Sequence, residues 1–171
     1  MAGMQEINPE ELALKAVDLW KNQWLLLTAG TMENCNMMTV AWGSIGCMWN
    51  RPFVQIVVRP QRYTLQFIEN SDSFTLCGFP GKYRDNLRHL GSVSGRNTDK
   101  LADTSLTLKP SVSVASPSYH QASLILECRK MYSQNMDPAG FITDFPKRVY
   151  PDKDYHRIYF GEILKAFTQN E

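Results

Sequence analysis

The sequence predicts a β-dominated domain with a few added helices, its short strands forming a closed or partly closed antiparallel barrel. Three observations predict it. Runs of aliphatic, aromatic and Thr residues recur from Trp24 onward: WLLLTAG, NMMTVAWGSIG, PFVQIVVRP, SFTLCGF, SVSVAS, SLILECRKMYS and HRIYFGEILKAF. Gly and Pro punctuate the gaps between them. Only RYTLQFIEN, KYRDNLRHLG and NTDKLAD read as inserted helices, so the regular strand–helix alternation of a doubly wound sheet is missing.

Taken in order, the chain opens on a helix start. Asn8 is a capping side chain, Pro9 suits the first helical position, and Glu10 and Glu11 lie where the helix dipole favours acids. The helix is expected to run to about Lys21, within a helical extension over residues 1–23. Thr64 is placed to cap the RYTLQFIEN helix, and Asn97 or Thr98 to cap NTDKLAD, with Lys100 just inside it. Residues 135–154, with Pro138, Gly140, Pro146 and Pro151, read as a long loop or lid. No repeat or low-complexity linker divides the chain, and 171 residues suit one domain with one core.

Composition narrows the partners. Apolar residues make up 43% and charged residues 20%, which suits a chain that folds unaided. A net charge of +1 supplies no long-range field for nucleic acid or an anionic membrane, although Arg59, Arg62, Lys82, Arg84, Arg88, Arg96 and Lys100 make the middle locally basic. A small anion suits that excess better than a polyanion. The N-terminal residues do not read as a signal peptide, and no stretch approaches a membrane span. Cys35, Cys47, Cys77 and Cys128 show neither CxxC spacing nor scaffold density, and the expectation is reduced thiols in a cytoplasm.

Rossmann and P-loop readings fail, since no GxGxxG follows a strand and no GxxxxGK[ST] occurs; HExxH and GxSxG are also missing. His89, His120 and His156 lie far apart without ligand-spaced Cys or acids, so no metal site is expected. In NMMTVAWGSIG, the glycines and Ser44 leave room for a flat ring to lie against backbone; a barrel strand kinked at a bulge fits the same residues. Arg59 leaves an apolar strand just before a helix start, a place for a phosphate or simply a solvated guanidinium; Arg62 is the weaker of the two arginines. GSVSGRNTDK, residues 91–100, combines a Gly/Ser turn with Arg96 and Lys100 and can form an anion nest. His156 and Tyr159 in the last strand either pack or face solvent, or else His156 is the catalytic candidate, an imidazole placed to orient a bound group or steady charge.

Read together and in this order, NMMTVAWG, the WNRP turn, VVRPQRYT, SFTLCGFP, GSVSGRNTDK and HRIYFGEI resemble the flavin reductase-like, FMN-binding split-barrel family, on its flavoredoxin-like branch. The similarity runs from about Trp24 to Phe167. It implies a six-stranded antiparallel Greek-key split β-barrel, a homodimer, and FMN in a groove near the dimer interface. On matching positions it places Asn36, Met38, Thr39, Trp42, Ser44 and Ile45 around the isoalloxazine and ribityl chain, and Arg59, Thr64, Ser92, Ser94, Gly95 and Lys100 at the phosphate. The activity implied is hydride transfer from NAD(P)H to bound FMN and on to a second acceptor. A flavoredoxin-type carrier serving a redox partner protein, and a barrel that binds a small molecule without redox chemistry, are the alternatives. Cys47 and Met48 after SIG, and the proline-rich 135–154 segment, depart from the family pattern.

Overall fold

The computed structural model describes residues 3–169, so the first two and last two positions of the expected domain lie outside the described residues. The chain forms β1 (Met4–Ile7), a short helical stretch from α1 (Ala16–Asp18) through Leu19–Gln23, then β2 (Leu25–Gly30), β3 (Cys35–Val40), β4 (Gly43–Met48) and β5 (Arg51–Val58). There follow α2 (Thr64–Glu69), β6 (Ser73–Gly78), α3 (Arg84–Ser92), β7 (Leu108–Lys109), β8 (Ser118–Tyr119), β9 (Leu124–Asn135), α4 (Phe145–Val149) and β10 (Arg157–Gln169).

Eight strands form one antiparallel sheet along the path β3-β2-β6-β9-β10-β5-β4, with β1 paired to the C-terminal half of β10. Consecutive strands β3 and β4 stand at opposite ends of that path, yet only Ala41 and Trp42 join them. Three peptide units hold Val40 and Gly43 within about 11 Å, whereas the ends of a flat seven-strand path would lie about 29 Å apart. The sheet must therefore curl until its ends nearly meet. No ladder joins β3 to β4 among the described residues, so the barrel is split at this seam.

The interior is filled by alternate residues of the strands, including Leu25, Leu27, Val54, Ile56, Val58, Phe74, Leu76, Leu126, Tyr159 and Ile163, and α2 lays Ile68 over the same cluster. Residues of opposite parity, among them Leu26, Met37, Cys77 and Ile125, form a second cluster with Leu87 and Leu90 of α3 and with Tyr119. That second layer explains why WLLLTAG is apolar without alternation: β2 is covered on both faces.

Several local expectations are corrected. The N-terminal helix is not continuous. Asn8 does accept from the Glu10 N–H at 3.1 Å, but the turn ends at Glu11, where Leu12 turns extended, and the residues before it pair with the otherwise open edge of β10. NMMTVAWGSIG, read as one run, is two strands bent apart at Ala41–Trp42, which with β1 raises the sheet above the six strands expected. SVSVAS is not a strand, because the buried Glu127 carboxylate on β9 accepts from the backbone N–H of Val112 at 2.8 Å and of Ser113 at 2.6 Å and draws the segment into a loop. NTDKLAD makes turns rather than a helix, with the Asp99 side chain accepting from Leu101 N–H at 3.0 Å. Thr64 is the first residue of α2 and not its cap; its hydroxyl is taken by Asn36, at 2.8 Å. The 135–154 segment carries α4 and lies against the barrel mouth.

Candidate functional site

Two adjoining pockets open beside the seam and share Arg62. The larger, about 310 Å³, is walled by Met38, Thr39 and Val40 of β3, by Ala41 and Trp42 of the link, by Val57 and Arg59, by Gly91 at the end of α3, and by His156. The register explains two of these neighbours. Arg157 pairs with Val58, so Arg59 and His156, one step beyond that pair on their antiparallel strands, meet at the mouth. Trp42 and His156 then face each other with ring centroids 5.3 Å apart. Thr39 Oγ1 donates to the Leu87 carbonyl at 2.5 Å, tying β3 to α3 and committing its proton to that bond.

The smaller pocket, about 150 Å³, lies between Asn36 of β3, the start of α2 and the turn after α3. Arg62, Arg96 and Lys100 line it together with Ser92, Ser94, Gly95 and Thr64, and no acidic side chain does. Asn36 donates to Thr64 Oγ1 at 2.8 Å, while its Oδ1 lies so close to Gly95 that a Cβ there would come within 2.3 Å of it. Any larger residue would have to displace the Asn36 amide from its bond to Thr64, and with glycine the turn backbone comes against the pocket. Lys100 is buried, with Nζ donating to the Met37 carbonyl at 2.6 Å. Burial, and then the neighbouring Arg62, push its ammonium down to about 8. Arg62 is itself lowered by burial and donates to the Gly91 carbonyl at 2.7 Å, and the Arg96 guanidinium lies 5.0 Å from the Tyr63 ring centroid.

Of the residues singled out from sequence, Met38, Thr39, Trp42, Arg59 and His156 meet in the larger pocket, and Asn36, Thr64, Ser92, Ser94, Gly95 and Lys100 in the smaller. Ser44 and Ile45 do not join either one. Ser44 donates to Gln55 Oε1 at 3.1 Å, and Ile45 packs against the barrel core. At Gly43 the wall is filled by the chain itself, since a Cβ there would lie 2.5 Å from the Trp20 ring. The residues that line the larger pocket are Met38–Trp42, one strand earlier. Arg59 lines the larger pocket and not the smaller: it pairs with the Asp154 carboxylate and donates to the Val149 carbonyl at 3.0 Å, whereas Arg62 lines both pockets. Reading by sequence missed Arg62 as the hinge between pockets, because which of two nearby arginines turns inward depends on the β5–β10 register. It also missed Tyr150, whose hydroxyl meets His156 Nδ1 at 2.7 Å and which carries no local motif.

Among the described residues, no group of three or more His, Cys, Asp or Glu side chains could hold a metal ion, and no helix is long and apolar enough to cross a membrane. The cysteines form no disulfide.

The fold and the site define a split-barrel protein with an aromatic-edged pocket adjoining a cationic one. Residues 21–171 match the family model described as flavin reductase like domain, and the chain belongs to that family of flavin-binding, redox-active domains. It is 26% identical over 156 residues to an uncharacterised protein of Pyrococcus abyssi, covering 90% of this chain and 77% of that one. In fold it is similar to an FMN-binding domain of a flavin reductase-like enzyme from Shewanella baltica, with a TM-score of 0.71, 18% identity, and coverage of 98% of this chain and 78% of that chain. It is similar also to flavoredoxin of Desulfovibrio vulgaris, with a TM-score of 0.67, 21% identity, and coverage of 93% and 74% respectively.

Proposed function

We propose that the chain is an FMN-binding oxidoreductase that takes hydride from NAD(P)H and passes electrons to a second acceptor. The observation that carries the reading is the pair of pockets joined at Arg62: the ring-sized space has no acid or nucleophile poised for hydrolysis, and the space beyond it is lined by three cations and a glycine turn. A planar ring ending in a phosphate matches that order. Bound there, FMN would supply the hydride-accepting and electron-donating chemistry.

The chain's own part is to hold and orient. Lys100, Arg62 and Arg96 neutralise the phosphate, with Ser92, Ser94 and Gly95 supplying the turn around it, and Asn36 and Thr64 lock the turn and helix start together. Met38, Thr39 and Trp42 wall the ring space, and His156 faces it at the open side, where a nicotinamide would approach. Holding two rings in near-contact geometry is an orientation effect, and it requires no general base.

The purified protein is expected to be yellow or to take up one FMN per chain. Anaerobic stopped-flow mixing with NADH and with NADPH should bleach the flavin band at rates that support turnover. A protein that takes up no FMN overturns the reading; flavin that binds but is not bleached by either nucleotide leaves the flavoredoxin-type carrier. The working form proposed is a cytoplasmic homodimer that hands electrons to a small-molecule or protein acceptor. The exposed Trp42 and Val17 on either side of a groove along β4 support a covered surface there.

A further inference from the structure

The imidazole of His156 is held by more than packing. Its Nδ1 lies 2.7 Å from the hydroxyl of Tyr150, which follows directly on α4. Arg59 fastens that part of the chain to the barrel by donating to the Val149 carbonyl and the Asp154 carboxylate, and its guanidinium sits 5.2 Å from the Tyr150 ring centroid. Phe141 stacks on the phenol ring at 6.0 Å and an interplanar angle of 4°, and Tyr155 packs at 5.3 Å. Gln61 also donates to Asp154, at 2.6 Å. The phenol is clamped, and its hydroxyl has one place to be.

The Tyr150 hydroxyl has a single proton and two acceptors within reach, His156 Nδ1 and, at 3.4 Å, Met136 Sδ. An imidazole nitrogen is much the better acceptor. A proton given to Nδ1 makes that nitrogen the acceptor and leaves the ring's own proton on Nε2, the nitrogen free to serve the pocket that His156 lines. The charged groups facing the ring are Arg59 and Asp154, with Arg62 across the pocket. Burial first, and then Arg59, push the imidazolium down to about 4, which Asp154 only partly opposes, so the ring is neutral at working pH.

We propose that Tyr150 is a positioning residue that locks His156 in the Nε2–H tautomer, so that one fixed hydrogen-bond donor faces the ring pocket. The donor would meet a carbonyl oxygen or ring nitrogen of the bound ligand or reductant; that partner rests on the flavin reading above, whereas the tautomer does not. The segment 135–154 is then part of the site and not a separate lid.

The test is nitrogen NMR on protein labelled with ¹⁵N-histidine, as purified and after adding FMN, with His156 assigned from the signals lost in His156→Gln. The expected result is a protonated Nε2 and an unprotonated Nδ1 from about pH 8 down to about pH 5. A protonated Nδ1, or a tautomer-averaged ring in the wild type, overturns the proposal whatever any variant does. In Tyr150→Phe, which keeps the stacked ring and removes the hydroxyl, the two tautomers should mix. Unchanged nitrogen shifts in that variant would overturn it too. A protein that shows the locked tautomer but takes up no FMN keeps this inference and loses the flavin reading.

Discussion

Lys100 is the residue whose chemistry is most exposed to test. An ammonium buried beside Arg62 without an acid is unfavourable until an anion arrives, and its proton affinity is lowered accordingly. Because its folded value is about 8 against 10.5, the unfolded chain binds more protons between those limits. The flavin-free protein should therefore gain stability as pH rises through that window. Phosphate binding needs the charged form, so the two effects have opposite signs. FMN affinity, measured by fluorescence quenching, should hold level near neutrality and fall above pH 8, by at most about tenfold per unit. Lys100→Ala should weaken FMN binding by roughly 10- to 100-fold, the loss of one charge-assisted bond of about 1.5–3 kcal/mol, and should flatten that pH dependence. A variant with wild-type affinity would remove Lys100 from the anchor.

At the scale of elements, β9 does two jobs. Its inward residues Leu126 and Cys128 fill the barrel, while Glu127 points the other way and captures the loop over residues 111–116 through the N–H groups of Val112 and Ser113. Glu127→Ala should cost about 2–3 kcal/mol in urea unfolding, since hydrogen bonds to a charged acceptor are lost and their donors are left to find water; Glu127→Gln, which keeps one acceptor oxygen, should cost less. Equal stability of both variants with the wild type would show the capture to be incidental. The same carboxylate marks a limit of reading by sequence. WLLLTAG, SFTLCGF and SLILECRKMYS were legible as strands because their apolar runs exceed what a surface loop carries, whereas SVSVAS has the same alternation and is a loop only because a distant glutamate satisfies its backbone. β1 was illegible for the converse reason: MQEI has little strand character, and its partner edge on β10 lies some 160 positions along the chain. The site divided in the same way. The Gly/Ser turn and Lys100 were visible as a local pattern, while the roles of Arg59, Arg62 and Tyr150 depend on which strand ends the register brings together.

For the molecule as a whole, the two-residue join at Ala41–Trp42 is the feature that matters most. Every other neighbouring pair along the sheet path is held by a hydrogen-bonded ladder, but among the described residues no backbone ladder crosses the seam, where the Ala41–Trp42 link joins the two strands. Opening there costs no backbone pairing, so the wall is free to breathe where a ring would rest on it. A ligand bridging β3 and the far side of the mouth would act as a clasp. Deuterium uptake followed by mass spectrometry should then slow in peptides covering residues 35–48 when FMN is added and stay unchanged in the β9–β10 ribbon, whose pairing is already complete. Slowing spread evenly over the chain would mean that the ligand tightens the whole fold and that the seam has no mechanical role of its own. If the slowing is local, occupancy and rigidity are the same event in this barrel, and an empty protein is one whose mouth has not yet been fastened.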